Sequence, residues 1–201
     1  MKVGIIALQG DVREHASILK RLSVEPVIVK NSNDLEDIDA LIIPGGESTT
    51  LSLLVKKHKL TSTIKEKNKL GMPIYGTCAG AILLAKEIIK GKIPNLGLID
   101  ISIERNSYGR QLDSFETDLS IKHIGEFEGI FIRAPKIKRL HNGAEILCEH
   151  NNNPVMIKQN NILITTFHPE LTEDTRVHEY FLGMAQEYKE IKDMQRDIEK
   201  I

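Results

Sequence analysis

Short apolar runs separated by polar, turn-forming stretches organise this chain. Val3–Leu8, Val24–Val29, Asp39–Pro44 and Pro73–Gly76 are too short for helices. Runs of this kind, closed by glycine or proline, predict strands buried on both faces. Helical spacing fills the gaps between them. Asp11 is a candidate cap for a helix with Ile18, Leu19 and Leu22 on its apolar side. Ser48 and Thr49 offer caps for a helix through Leu51, Leu54 and Val55, and further helices are predicted over Leu60–Leu70 and Ala79–Lys90. Strand and helix thus alternate over residues 1–90. That order predicts parallel βαβ units and an α/β three-layer sandwich, with a largely parallel central sheet and helices on both faces.

The pattern changes in the middle of the chain. Ile99–Arg105, Phe115–Ile121, Phe127–Ile132, Ala144–His150, Val155–Gln159 and Ile162–Thr166 read as short strands. Loops are expected at Asn106–Arg110, at Pro135 and at Asn151–Pro154, where the asparagine run is read as a turn. These strands predict a mixed or antiparallel extension of the same sheet. Thr175–Lys192 reads as an amphipathic helix with Val177, Tyr180, Phe181, Met184 and Tyr188 on its apolar face. The charged stretch from Lys189 to Ile201 is expected to be helical or frayed. With no repeat, linker or low-complexity segment, residues 1–201 read as one domain.

Composition narrows the function. Lys plus Arg total 27 and Asp plus Glu 28, a formal net charge of -1, so a broadly basic polyanion binder is excluded. Aromatics make up 4% with no Trp, too few for a base-stacking platform, and nucleic acid is not expected as a partner. Two cysteines, Cys78 and Cys148, cannot make a disulfide scaffold and suit a reducing interior. No apolar run approaches the ~18 residues of a membrane span. The apolar start is broken by Gln9-Gly10-Asp11 with no small-residue cleavage site, so the expected location is the cytoplasm. No H-x-x-x-H or C-x-x-C spacing suggests a metal, and no cofactor is expected.

The chemistry concentrates at Gly76-Thr77-Cys78-Ala79-Gly80, after a predicted strand and before a predicted helix. This is a nucleophile elbow with cysteine in the nucleophile slot. Flanking glycines allow a sharp turn, and the free N–H groups of the following helix favour a thiolate and can hold an oxyanion. Cys148, within an apolar strand, reads as structural. A thiol needs a base, and His168 follows a strand in His168-Pro169-Glu170, where Glu170 at i+2 can orient the imidazole. His15, His58, His123, His141, His150 and His178 compete for that role without a partner motif. Pro44-Gly45-Gly46-Glu47-Ser48-Thr49 lacks the lysine and spacing of a P-loop. It suits an oxyanion or substrate contact, or a plain turn with a helix cap. Arg105 and Arg133 end strands. Each is either a surface arginine or the carboxylate partner of an amino-acid headgroup, whose ammonium Glu47 could balance.

Taken together, these segments resemble the class I, triad-type glutamine amidotransferases. They resemble most closely the glutaminase subunits of pyridoxal 5'-phosphate synthase. The similarity runs through Gly4–Asp11, Leu41–Thr49, Gly76–Gly80, Glu104–Gln111, Phe131–Pro135 and Phe167–Glu170, in family order. It implies a flavodoxin-like fold of the class I glutamine amidotransferase type, in an enzyme that splits L-glutamine into glutamate and ammonia. The implied roles are Cys78 as nucleophile, His168 as base and Glu170 as its orienter. Gly46 and Ala79 would supply oxyanion amides, and Gly46, Glu47, Ser48, Arg105, Ile132 and Arg133 would bind glutamine. Gln9 would lie at an activating interface. The implied partner is a (β/α)8-barrel synthase subunit, with up to twelve glutaminases on a twelve-subunit core. Three alternatives remain at this stage: a glutaminase serving another synthase, a free-standing cysteine hydrolase, and an interaction module with a relic site.

Overall fold

The computed structural model describes residues 1–89, 91–105, 114–141 and 143–198. Strands β1 (Lys2–Ile6), β2 (Glu25–Val29), β3 (Ala40–Ile43) and β4 (Ile74–Thr77) lie parallel in one sheet. β12 (Ile162–Thr165) joins them in parallel beside β4, and β10 (Glu145–His150) and β11 (Asn153–Gln159) close that edge antiparallel. The order across the seven-stranded sheet is β10-β11-β12-β4-β3-β1-β2.

Alternation along each strand feeds two cores. Ile6, Leu41, Ile43, Ile74, Ile162 and Ile164 face α2 (Ser48–Lys57), α3 (Leu60–Lys69) and α4 (Ala79–Leu84). Val3, Ile5, Ile42, Tyr75 and Leu163 face the opposite way, toward α1 (Val12–Arg21) and α5 (Arg176–Ile198). Burial on both faces is what makes β3, β4 and β12 continuous apolar runs. The result is the expected three-layer α/β sandwich. Among the described residues no helix is long and apolar enough to cross a membrane.

Several expectations are corrected. The extension is only partly a continuation of the main sheet. β5 (Ala85–Ile89), β6 (Ile99–Glu104) and β9 (Lys136–Leu140) form a separate three-stranded sheet on the α2–α4 side. β7 (Ser114–Ile121) and β8 (Gly125–Ile132) form a hairpin packed on the other core. The helix expected over Ala79–Lys90 ends at Leu84, because Ala85–Ile89 pairs in parallel with β6. A tertiary pairing there overrides helical spacing. β9, over which no element was expected, pairs with β6 on its other side. The asparagine run is a tight turn with Asn151 and Asn152 both at positive φ, which asparagine tolerates. Helix α5 carries the charged stretch as helix to Ile198. The expectations for Asn106–Gln111 and for residues 199–201 lie outside the described residues.

Candidate active site

The C-terminal ends of β1, β3, β4 and β12 are adjacent, so the segments that follow them meet at one sheet edge. β4 delivers Cys78 at φ 46° and ψ -98°, a conformation that costs energy for a residue with a Cβ. Its amide donates to Thr165 O of β12 at 2.9 Å, and its carbonyl accepts from Ile82 N of α4 at 3.2 Å. The turn is sharp enough that a Cβ on Gly80 would stand 2.0 Å from the Ile43 carbonyl of β3. One on Gly76 would meet the Gly80 carbonyl carbon at 2.8 Å. Gly80→Ala must therefore push α4 off β3. The expected cost is about 3 kcal/mol, seen in a thermal melt as a fall in Tm of roughly 6–12 °C. An unchanged Tm would show that the elbow is not held this tightly.

β12, the neighbour of β4, delivers His168. The His168 amide donates to Ile130 O of β8 at 2.8 Å, which ties the hairpin to the site. Pro169–Leu171 forms a single 3-10 turn that swings Glu170 back beneath the ring. Nδ1 of His168 is 2.8 Å from Glu170 Oε1 and 3.3 Å from Asp11 Oδ2. Nε2 is buried with no hydrogen-bond partner among the described residues, leaving it available for proton exchange. Burial alone would lower the imidazole pKa. The neighbouring Asp11, Cys78 and Glu170 groups outweigh it and hold the ring well above its ordinary value. Desolvation raises the carboxyl pKa of fully buried Glu170, against the pull of His168. Asp11, partly exposed, is held below the usual carboxylate range chiefly by its hydrogen bond to His168. Asp11 and Glu170 both face the one nitrogen Nδ1, so they serve as acceptors of its proton. The ligand atoms of Asp11, His168 and Glu170 all lie within 4.8 Å of one another.

β3 delivers the opposite wall. Glu47, not Ser48 or Thr49, caps α2, because its two carboxylate oxygens accept from Thr49 N at 2.9 Å and Thr50 N at 2.7 Å. Slight burial works against it, yet these amides hold its pKa down at about 2. Gln9 braces the same residue. Its Oε1 accepts from Glu47 N at 3.1 Å and its Nε2 donates to Glu47 O at 3.3 Å. Arg105 Nη2 donates to Thr49 Oγ1 at 3.1 Å and stands 3.4 Å from Glu47 Oε1. At the end of β8 the Cys78 thiol faces the Ile132 carbonyl at 3.9 Å, and Arg133 turns the chain at φ 44°.

These walls enclose a cavity of about 490 Å³. Gly46, Glu47, Ser48, Cys78, Arg105, Ile132, Arg133 and His168, all singled out from the sequence, line it. Glu170 sits behind His168. Ala79 is the first residue of α4, so its N–H has no acceptor within the helix. Gln9 is one layer out, against the Gly46–Glu47 backbone. Asp11, Ile82 and Ser114 also line the cavity and were not anticipated. Asp11 was expected to cap α1, but its side chain makes no cap bond and points to His168 instead. Its place in the turn that follows a strand ending at this edge was the available signal.

Residues 5–187 match the SNO glutamine amidotransferase family. The chain belongs to that family. It is 48% identical over 186 residues to the pyridoxal 5'-phosphate synthase subunit PdxT of Thermosipho africanus, covering 92% of this chain and 99% of that one. It is likewise 48% identical to the PdxT subunit of Fervidobacterium nodosum over 94% of this chain and all of that one. A crystal structure of a glutamine amidotransferase superposes with a TM-score of 0.89 at 47% identity, over 92% of this chain and 98% of that chain. A putative GMP synthase component from Thermoplasma acidophilum, at 19% identity and TM-score 0.71 over 96% of this chain and 98% of that chain, shares the fold. The matched stretch of this glutamine amidotransferase includes the elbow, His168-Pro169-Glu170 and the residues that line the cavity. The far end of α5 lies beyond the match.

Proposed function

We propose that this amidotransferase domain, residues 1–201, is the glutaminase subunit of a pyridoxal 5'-phosphate synthase and that Cys78, His168 and Glu170 split L-glutamine. The observation that carries the reading is one cavity with an elbow thiol and a carboxylate-backed imidazole on one side, and Glu47 with Arg105 on the other. Glu47, ionised at neutral pH, accepts the substrate ammonium. Arg105 and Arg133 take the α-carboxylate, and Gly46, Ser48 and Ile132 complete the contacts. That fixes the side-chain amide near Cys78.

The thiolate attacks the amide carbon, and the amide oxygen becomes an oxyanion held by the Gly46 and Ala79 N–H groups. The His168 imidazolium gives its proton to the amide nitrogen as the C–N bond breaks, releasing NH3 and leaving a thioester. His168, now neutral, takes a proton from water. The hydroxide adds to the thioester carbon, and the C–S bond breaks to restore the Cys78 thiolate beside the His168 imidazolium. Glutamate leaves, its new carboxyl group giving its proton to solvent. Glu170 keeps the ring oriented throughout.

Ammonia released into water is protonated and lost, which favours a docked acceptor. We assign that role to a (β/α)8-barrel synthase subunit in the cytoplasm, up to twelve glutaminases sharing a twelve-subunit core. Gln9 transmits docking, since it braces the Glu47 peptide next to Gly46. Glutamate release should be several-fold faster with the barrel subunit than without it, measured at saturating glutamine. Equal turnover in both would overturn the partner assignment.

A further inference from the structure

Behind the triad lies a second layer of buried polar groups that the mechanism above does not use. His15 of α1 and His178 of α5 are both fully buried, inside the core formed by Leu19, Tyr75 and Phe181. His15 Nδ1 is 2.9 Å from His178 Nε2. His15 Nε2 is 3.4 Å from Thr77 Oγ1 and 3.6 Å from Glu170 Oε1. Thr77 Oγ1 donates to Glu170 Oε1 at 3.3 Å, the oxygen that also accepts from His168. We propose that His15 and His178 are positioning residues for the triad, a relay that directs hydrogen-bond donors toward Glu170 Oε1 and keeps that carboxylate as the acceptor of His168. The proposal rests on the reading of His168 and Glu170 as the catalytic base and its orienter.

The proton directions follow from the inventory of donors and acceptors. A carboxylate oxygen only accepts, so Thr77 must donate to it, and His15 Nε2–H points at Thr77 Oγ1 and toward the carboxylate. A neutral His15 then has a bare Nδ1, which accepts from His178 Nε2–H. A neutral His178 has its own bare nitrogen at Nδ1. That atom is one of the few buried polar atoms without a partner among the described residues. The reverse direction would aim a His15 lone pair at a carboxylate and leave a buried N–H on His178 unmet.

Neutrality is enforced by the surroundings. Desolvation takes the His178 pKa down to about 3. Desolvation, with repulsion from His178 and His168, takes that of His15 well below its ordinary value. A neutral His15 supplies a donor without competing with His168 for the negative charge. The remaining groups facing Glu170 are Asp11 from the start of α1 and Tyr75 of β4, whose hydroxyl is held away by Thr165 Oγ1 at 3.0 Å.

The test is the pH profile of kcat/KM for glutamine hydrolysis, with the synthase subunit present, for His15→Phe, His15→Gln and His178→Phe. Removing a donor makes the Glu170 carboxylate easier to protonate, so the acid limb moves to higher pH. His15→Phe should lower kcat about tenfold and shift the limb up by about one pH unit, with KM within about twofold. His15→Gln can donate through Nε2 and accept through Oε1, and should restore most of both. His178→Phe should shift the limb in the same direction by less, and it carries the test if His15→Phe does not fold. Profiles that superimpose on the wild type in the folded variants would overturn the relay. So would a folded His15→Gln as impaired as His15→Phe. Cys78→Ala in the same assay separates the two levels. If it stays active, the triad reading fails and the relay with it. If it is dead while the histidine variants match the wild type, the relay alone fails.

Discussion

Cys78→Ala is expected to abolish ammonia release from glutamine, by about 10⁴-fold or more, with the synthase subunit present. The size follows from the site's construction. Among the described residues lining the cavity, Cys78 carries the one thiol, and covalent catalysis has no substitute nucleophile there. Cys148 cannot replace it. It lies in β10, buried, and burial together with Glu149 and Glu126 pushes its pKa up to about 11. Its thiolate is scarce near neutral pH. Alanine also keeps a Cβ at the same positive-φ position, so the elbow should survive and a thermal melt should change little. Cys78→Ala with wild-type ammonia release would place the nucleophile elsewhere.

The next largest effects are expected at His168, the proposed base, and at its partner Glu170. His168→Ala should reduce kcat by about 10³- to 10⁴-fold, because no other imidazole among the described residues lines the cavity. His15 and His178 are sealed in the core and held neutral. Glu170→Gln should cost about 10²- to 10⁴-fold. The amide removes the charge that burial barely tolerates, and one of its two faces would present N–H groups to His168 and Thr77, both donors. Asp11, still 3.3 Å from Nδ1, retains part of the orientation, so Glu170→Gln should be no worse than His168→Ala. The sign on the base is defined. Losing Glu170 removes a contribution that raises the His168 pKa, so the ring loses its proton at lower pH than in the wild type. Alkylation of Cys78 by iodoacetamide against pH reads that shift directly. An unmoved alkylation profile and unchanged kcat would show that Glu170 does not orient the base.

Much of this site was legible in one dimension because its pieces are local. Gly76–Gly80 states its own turn, since only small residues at 76 and 80 let α4 pack this tightly on the β3 backbone, where even a methyl group on Gly80 would come to 2.0 Å from a carbonyl oxygen. His168 and Glu170 are two residues apart and meet directly. Glu47 follows β3, and parallel strands carry such ends to one edge. Arg105 and Arg133 also sat at predicted strand ends, but they reach the cavity from β6 of the separate sheet and β8 of the hairpin, an arrangement the spacing does not reveal. The short helix after the elbow was not legible. Ala85–Ile89 has helical spacing on paper, but its carbonyls and amides are taken by β6, a partner that sequence spacing does not reveal.

The sequence alone determined most of the strands, the elbow and the meeting of His168 with Glu170, each of which depends on neighbours within a few residues. The tertiary structure alone decided what stands behind them. His15 and His178 are 163 positions apart and become hydrogen-bonded neighbours only because α1 and α5 pack on the same face of the sheet. Asp11 reaches His168 because β1 and β12 end at the same edge. Their roles are set by burial and by which lone pairs face which protons, and both are properties of the packed chain.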